Sequence, residues 1–186
     1  MPIKIVDILL PTTMVGPFPR PGWYNYELLG RNIRVAFKEA GLDIVTDGQM
    51  SYDDYVGVIG SFCWYMYERI PGFQDAKETH PSEIGAAVRT KEIELLADWG
   101  GVVNDGPVSG GPIRLADLYK IGKKYARRPM KVSVGAGPIN LAWHVHFQHY
   151  KDARELSFAL APIFNAEMKE LVAAGATYLQ LEDLGA

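Results

Sequence analysis

Five short extended runs, each closed by glycine, proline or polar residues, alternate with helix-period segments along the chain. This alternation constrains the fold more than any other feature. The first run ends in Leu10-Pro11-Thr12-Thr13-Met14-Val15 and is stopped by Gly16, Pro17, Pro19 and Pro21, around Phe18 and Arg20. Proline fixes φ and removes an amide donor, so this reads as a strand with a stiff exit. The second run, Leu42 to Thr46, ends in Asp47-Gly48-Gln49. The third, Gly101 to Val103, leads into Asn104-Asp105-Gly106-Pro107. The fourth, Met130 to Val134, closes with Gly135-Ala136-Gly137-Pro138, and the fifth, Ala176 to Leu181, with Glu182-Asp183. Between them, 25–40, 52–66, 112–126 and 152–174 carry apolar residues at helical spacing. Gly41 and Gly175 stand as C-caps, and Asp152 with Glu155 has the spacing of a capping box. Pro162 predicts a kink or break in the last helix. Residues 71–82 read as loop, and 83–99 as either extended or helical.

Strands alternating with helices predict an α/β protein built of parallel βα units. A complete eight-stranded barrel needs roughly 250 residues. A length of 186 residues predicts a single domain, 1–186, forming part of one: a partial TIM-type (β/α)8 barrel of about five βα units. The two outer strands of such a part are open edges of a sheet normally buried on both faces. That predicts a complementary chain completing the barrel, or self-association.

A net charge of −3 argues against nucleic acid or an anionic membrane as partner. The amino-terminal apolar run is too short for a signal peptide and no stretch reaches membrane-spanning length, so a cytoplasmic protein is expected. Cys63, the one cysteine, excludes an intrachain disulfide and any zinc site needing two cysteines of this chain. It lies on the aromatic stripe of 52–66, which reads as core, and is expected to be buried and inert.

In parallel α/β proteins function collects at the carboxyl ends of strands. Those ends hold Asp47 and Gln49, Asn104 and Asp105, Gly137, and Glu182 and Asp183. Four carboxylates at one mouth suit an ammonium group, a metal or acid–base chemistry. Asp and Asn at such positions also cap the following helices, and that reading stands beside the first. Gly135-Ala136-Gly137 is a partial dinucleotide fingerprint without its third glycine, a weak signal. His144, His146 and His149 form an imidazole-rich run in which His144 and His146 alternate and His146 and His149 could share a helical face; they are metal ligands or surface or hydrogen-bonded histidines.

Four of these motifs, in order, resemble the cobalamin-independent methionine synthase family. LPTTMVGPFPRP resembles its first barrel strand, GLDIVTDGQ its second, Gly137-Pro138 the close of its fourth, and GATYLQLED its fifth. The resemblance implies a barrel of the methionine synthase and uroporphyrinogen decarboxylase type. It implies methyl or alkyl transfer to a small thiol such as homocysteine, activated by zinc, with a folate as donor. Asp47, Glu182 and Asp183 are then the catalytic candidates. Gly16, Pro17, Phe18, Arg20, Gln49, Asp105, Gly137 and Trp143 are the substrate-binding ones, Trp143 on the donor side. The family's zinc ligands lie on later strands, so the resemblance implies that zinc comes from the complementary part of the barrel. This chain departs from the family pattern at Pro17 (serine), Gln49 (glutamate), Glu182 (aspartate) and Leu184 (proline). Gln49 removes a charge that would pair with a substrate ammonium. The chain is expected to be a component of a methyltransferase. The alternatives are a non-catalytic binding or assembly subunit, or a metal-free lyase or hydrolase using the carboxylates.

Overall fold

In the computed structural model, residues 11–13, 28–39, 41–49, 59–76, 101–143 and 145–183 are described. Contacts cluster them into two compact units. The first takes Met1–Ser51, Arg114–Val134 and Met168–Leu181, and the second Tyr52–Ile113, Gly135–Glu167 and Glu182–Ala186. The described elements are α1 (Leu29–Glu39), α2 (Ile59–Tyr67), β1 (Phe73–Asp75), β2 (Val102–Asn104), α3 (Leu115–Tyr125), β3 (Val132–Val134), α4 (Pro138–Trp143), β4 (Val145–Phe147), α5 (Ala153–Ala173) and β5 (Leu179–Leu181). The protein is α/β.

The first unit is built on a parallel arrangement. β3 pairs with β5, Val132 opposite Leu179 and Val134 opposite Leu181. Val45 bridges in parallel to Met130. The Thr12 carbonyl accepts the N–H groups of Asp43 and Ile44 at 3.1 and 3.0 Å. The Asp43 carboxylate accepts the Thr12 N–H and hydroxyl and takes an ion pair from Arg128 at 3.1 Å. The Thr12 hydrogen bonds, reinforced by Arg128, hold that carboxyl below its ordinary range. Helix α3 lies close to Met130 because Gly122 has no side chain: a Cβ there would meet the Met130 methyl at 2.5 Å. Gly30 of α1 likewise leaves room for the Tyr125 ring.

The second unit holds a three-stranded sheet in which β1 is antiparallel to β2 and β2 is parallel to β4. The third expected strand therefore has both edges occupied, by β1 and β4. Within the first unit, the second expected strand bridges in parallel to the start of the fourth. Two local features account for the β1–β2–β4 sheet. Gly72, at φ 101°, turns the chain so that Phe73 enters the sheet beneath Tyr67, ring centroids 5.0 Å apart; 73–75 is thus a strand where the sequence reads as loop. Asn104, fully buried, then ties three segments together. Its Nδ2 donates to the carbonyls of Gly72 and Gly106 at 2.8 and 2.9 Å, and its Oδ1 accepts the Tyr150 N–H at 3.3 Å.

Helix signals are realised closely. Glu155 N–H donates to the Asp152 carboxylate and the Lys151 N–H to the Glu155 carboxylate, both at 2.9 Å, a capping box displaced by one residue. Beyond α5, Gly175 adopts φ 95°. Its N–H bonds to the Val172 carbonyl and that of Ala176 to Leu171, the two bonds of a Schellman stop. Pro162 neither breaks nor ends α5; it is exposed, where water can serve the carbonyl whose amide partner proline removes. The expected strand at 8–15, the start of the second helix at 52–58, and 83–99 lie outside the described residues, apart from 11–13.

Replacing Asn104 by alanine strands two carbonyls and an amide in a buried place. It is expected to cost roughly 2–4 kcal/mol, read as a lower urea midpoint with an unchanged slope. A shift under about 0.5 kcal/mol would contradict the role given to this side chain.

Candidate functional site

In the first unit the polar residues gather on one face of the parallel strands. Ser133 stands opposite Gln180 in the register, so the two share a face with Lys131, while Val132, Val134, Leu179 and Leu181 take the other. Lys131 is 1% exposed. Its ammonium donates to Gln180 Oε1 at 2.6 Å and lies 5.9 Å from the centroid of the Tyr178 ring. Burying an ammonium group is costly unless hydrogen bonds replace its water, and a charge-assisted bond to an amide oxygen does part of that.

Gln49 joins this face, its Nε2 donating to Ser133 Oγ at 3.3 Å. A tight turn puts it there. The Thr46 hydroxyl accepts the Gly48 N–H at 3.0 Å, and Asp47 Oδ1 accepts the Gln49 N–H at 3.1 Å. Gly48 and Gln49 adopt φ 67° and 52°. A left-handed glutamine is uncommon, and such strain gathers where a side chain must be aimed. Gln49 is 1% exposed. Asp47 and Gln49, both named from the sequence, are thus one structural feature. Lys131, Ser133 and Gln180 were not identified as site residues from the sequence. The available signal was the alternation Lys-Val-Ser-Val and Leu-Gln-Leu, since parallel strands buried on both faces otherwise read as continuous apolar runs.

In the second unit, Asp183 Oδ1 accepts the Asn140 N–H at 2.6 Å and Oδ2 the Ile139 N–H at 3.3 Å. The Gly137 N–H donates to the Glu182 carbonyl at 2.9 Å. Glu182 is half-buried. Asp105 is exposed and accepts a hydrogen bond from Gln74 Nε2. Trp143 ends α4 with 65% of its surface exposed. Of the four strand-end carboxylates, Asp47 accepts an amide of its own turn, Asp183 accepts two amides at the start of α4, which precedes it in the chain, and Asp105 accepts a side-chain amide.

Val145–Phe147, within the histidine run, forms β4 rather than part of a helix. His146 lies on that strand and His149 beyond it, its ring edge-on to Tyr150, so the two do not share a helical face. Pairing of Val145 with Val102 sets this extended geometry. His144, Gly16, Pro17, Phe18 and Arg20 lie outside the described residues. Among the described residues no three His, Cys, Asp or Glu side chains converge to hold a metal ion. Cys63 is buried, with its sulfur 3.9 Å from Asn140 Nδ2. Burial pushes its thiol pKa up to about 12, which disfavours the thiolate a zinc ion would need. The described residues therefore do not fit a zinc centre. No helix among them is long and apolar enough to cross a membrane.

The protein is α/β with a polar face on the parallel strands of its first unit, and known proteins narrow this further. Methionine synthase of Sulfurisphaera tokodaii is 26% identical over 195 residues, covering 94% of this chain and 52% of that protein. Methionine synthase of Sulfolobus acidocaldarius is 27% identical over 200 residues, again covering 94% of this chain and 52% of its own length. The chain thus spans about half the length of the curated relatives it matches. Among solved structures, a B12-independent methionine synthase from Shewanella sp. W3-18-1, in complex with selenomethionine, superimposes with a TM-score of 0.68. It has 24% identity and covers 94% of this chain and 51% of that one, a likeness of fold. No family model matches the chain. The resemblance read from four motifs thus extends over nearly the whole chain.

The buried thiol predicts a pH dependence. An unfolded cysteine ionises near pH 9 and Cys63 near 12, so folding holds the extra proton between them. Its contribution is complete below pH 9 and is lost as pH rises toward 12. Burial and then the nearby thiol push the Tyr67 phenol the same way, well above its ordinary 10. Stability should fall through this window, with a shallower fall in Cys63→Ala. An identical alkaline slope in the variant would contradict the assignment.

Proposed function

We propose that this chain is a component of a methionine-synthase-like enzyme, a methyl or alkyl transferase acting on a small thiol. The observation that carries this reading is the match to methionine synthases over 94% of the chain, with no single motif isolated from the rest. The part of those relatives that lies outside the match would complete a TIM-type barrel, either as continuing chain or as a separate polypeptide. A thiol-activating zinc, implied by the family resemblance, would belong to that other part.

On this reading Gln49 is a substrate-binding residue. Its amide, oriented by Ser133 and the strained turn, meets the acceptor's polar end without contributing a charge. Trp143 offers an exposed indole to a flat donor such as a folate. Glu182 is the carboxylate proposed to act on substrate. The Lys131–Gln180 contact keeps the face carrying Gln49 ordered and dry. Homocysteine is one acceptor of the required class. A neutral glutamine fits equally a thiol whose amine is blocked or absent.

A second reading has its own support. Asp47 and Asp183 spend their carboxylates on backbone amides, and Asp105 binds Gln74. A binding or assembly subunit that has kept the fold without the chemistry would look like this.

The test uses the natural assembly purified with whatever chain accompanies it, assayed for thiol methylation with 5-methyltetrahydrofolate and a panel of thiols. Transferase activity that falls about 100-fold or more in Glu182→Ala supports the first reading. Gln49→Glu should raise the preference for amino-acid thiols over amine-free ones by about tenfold. Transfer unchanged in both variants would establish the assembly role instead.

A further inference from the structure

We infer that Asp183 is a positioning residue: with Gly137 it forms a clamp that fixes the start of α4, and it does not itself meet substrate. The first N–H groups of a helix have no partner within the helix. They are usually served by the side chain of the residue just before it, which bonds the second or third amide. In α4 that residue is Gly137, which has no side chain. The first helical position is Pro138, which has no N–H to satisfy. The next two amides, of Ile139 and Asn140, donate to the two oxygens of Asp183. A residue remote in sequence thus supplies the cap that the local sequence lacks.

The fit is steric as well as polar. A Cβ at position 137 would meet Asp183 Cγ at 2.5 Å and Oδ2 at 2.6 Å. Gly137 therefore vacates the space that the carboxylate fills, and its own N–H donates to the neighbouring Glu182 carbonyl. The far part of α4 is held separately, by the Tyr67 hydroxyl donating to the Leu141 carbonyl at 2.7 Å. The short helix is thus held at both places, with Trp143 as its last residue. The Gly-Pro turn after the fourth run and the acid after the fifth are two halves of one device.

The activity arm of the test rests on the proposed function; the structural arm does not. Hydrogen exchange is followed on the natural assembly for the wild type and for Asp183→Ala, Asp183→Asn and Gly137→Ala. The amides of 139 and 140 should exchange about tenfold or more faster in Asp183→Ala and Gly137→Ala, with those of 132–134 unchanged. Asp183→Asn keeps one acceptor oxygen and should sit between. Thiol methylation by Asp183→Asn should stay within about tenfold of wild type, with both limbs of its pH–rate profile retained. Unaltered exchange at 139 and 140 in Asp183→Ala and Gly137→Ala would overturn the clamp. So would loss of about 1,000-fold in turnover in Asp183→Asn with a missing pH limb, which marks a group acting on substrate. If no variant and no wild type transfers a methyl group, the proposed function fails and the exchange arm still decides the clamp.

Discussion

The hydrogen bond from Lys131 to Gln180 is the constraint on which the first unit turns. β3 and β5 are only three residues long each, and their apolar side chains lie on one face alone. The other face is polar, with Lys131 and Ser133 buried and Gln180 half-buried. A parallel pair in that situation is stable only if its polar groups find partners, because an unmet donor in a dry place costs about 1–3 kcal/mol. Lys131 with Gln180, and Gln49 with Ser133, give the donors of this face partners across three chain segments. The Ser133 bond also fixes the side chain of Gln49, which stands in a strained turn.

The second unit follows the same logic with different residues. Asn104 joins the turn at Gly72, the turn at Gly106 and the chain at Tyr150 through one amide group. Asp183 caps a helix whose own sequence provides no cap. In both, a side chain serves backbone groups that local sequence leaves unserved. Glycines stand opposite, at 72 and 137, where a side chain would collide.

Much of the fold was legible because local chemistry decides it. The limits of α5 follow from Asp152, Glu155 and Gly175, each acting on its own neighbours. The pairing of the fourth and fifth runs follows from their short apolar pattern between helices. Strand order was not legible. Val102-Val103-Asn104 could pair with any extended neighbour, and its choice of Phe73–Asp75 and Val145–Phe147 depends on Asn104 bonds spanning up to 46 residues. Of the two spacings in the histidine run, the helical face of His146 and His149 is not realised, because Val145–Phe147 pairs with Val102–Asn104 as a strand. Of the candidate site, the turn at Asp47 and Gln49 announced itself through Asp-Gly. Lys131 did not, since a lysine between apolar residues reads as solvent-facing until its face is known to be buried.

The most direct test of this account is a double-mutant cycle on Lys131→Met and Gln180→Leu, read by urea denaturation. The account predicts a coupling of about 1–3 kcal/mol, with the double variant less destabilised than the sum of the singles. Strictly additive effects would contradict it, since the two side chains would then not hold the parallel strands together through each other.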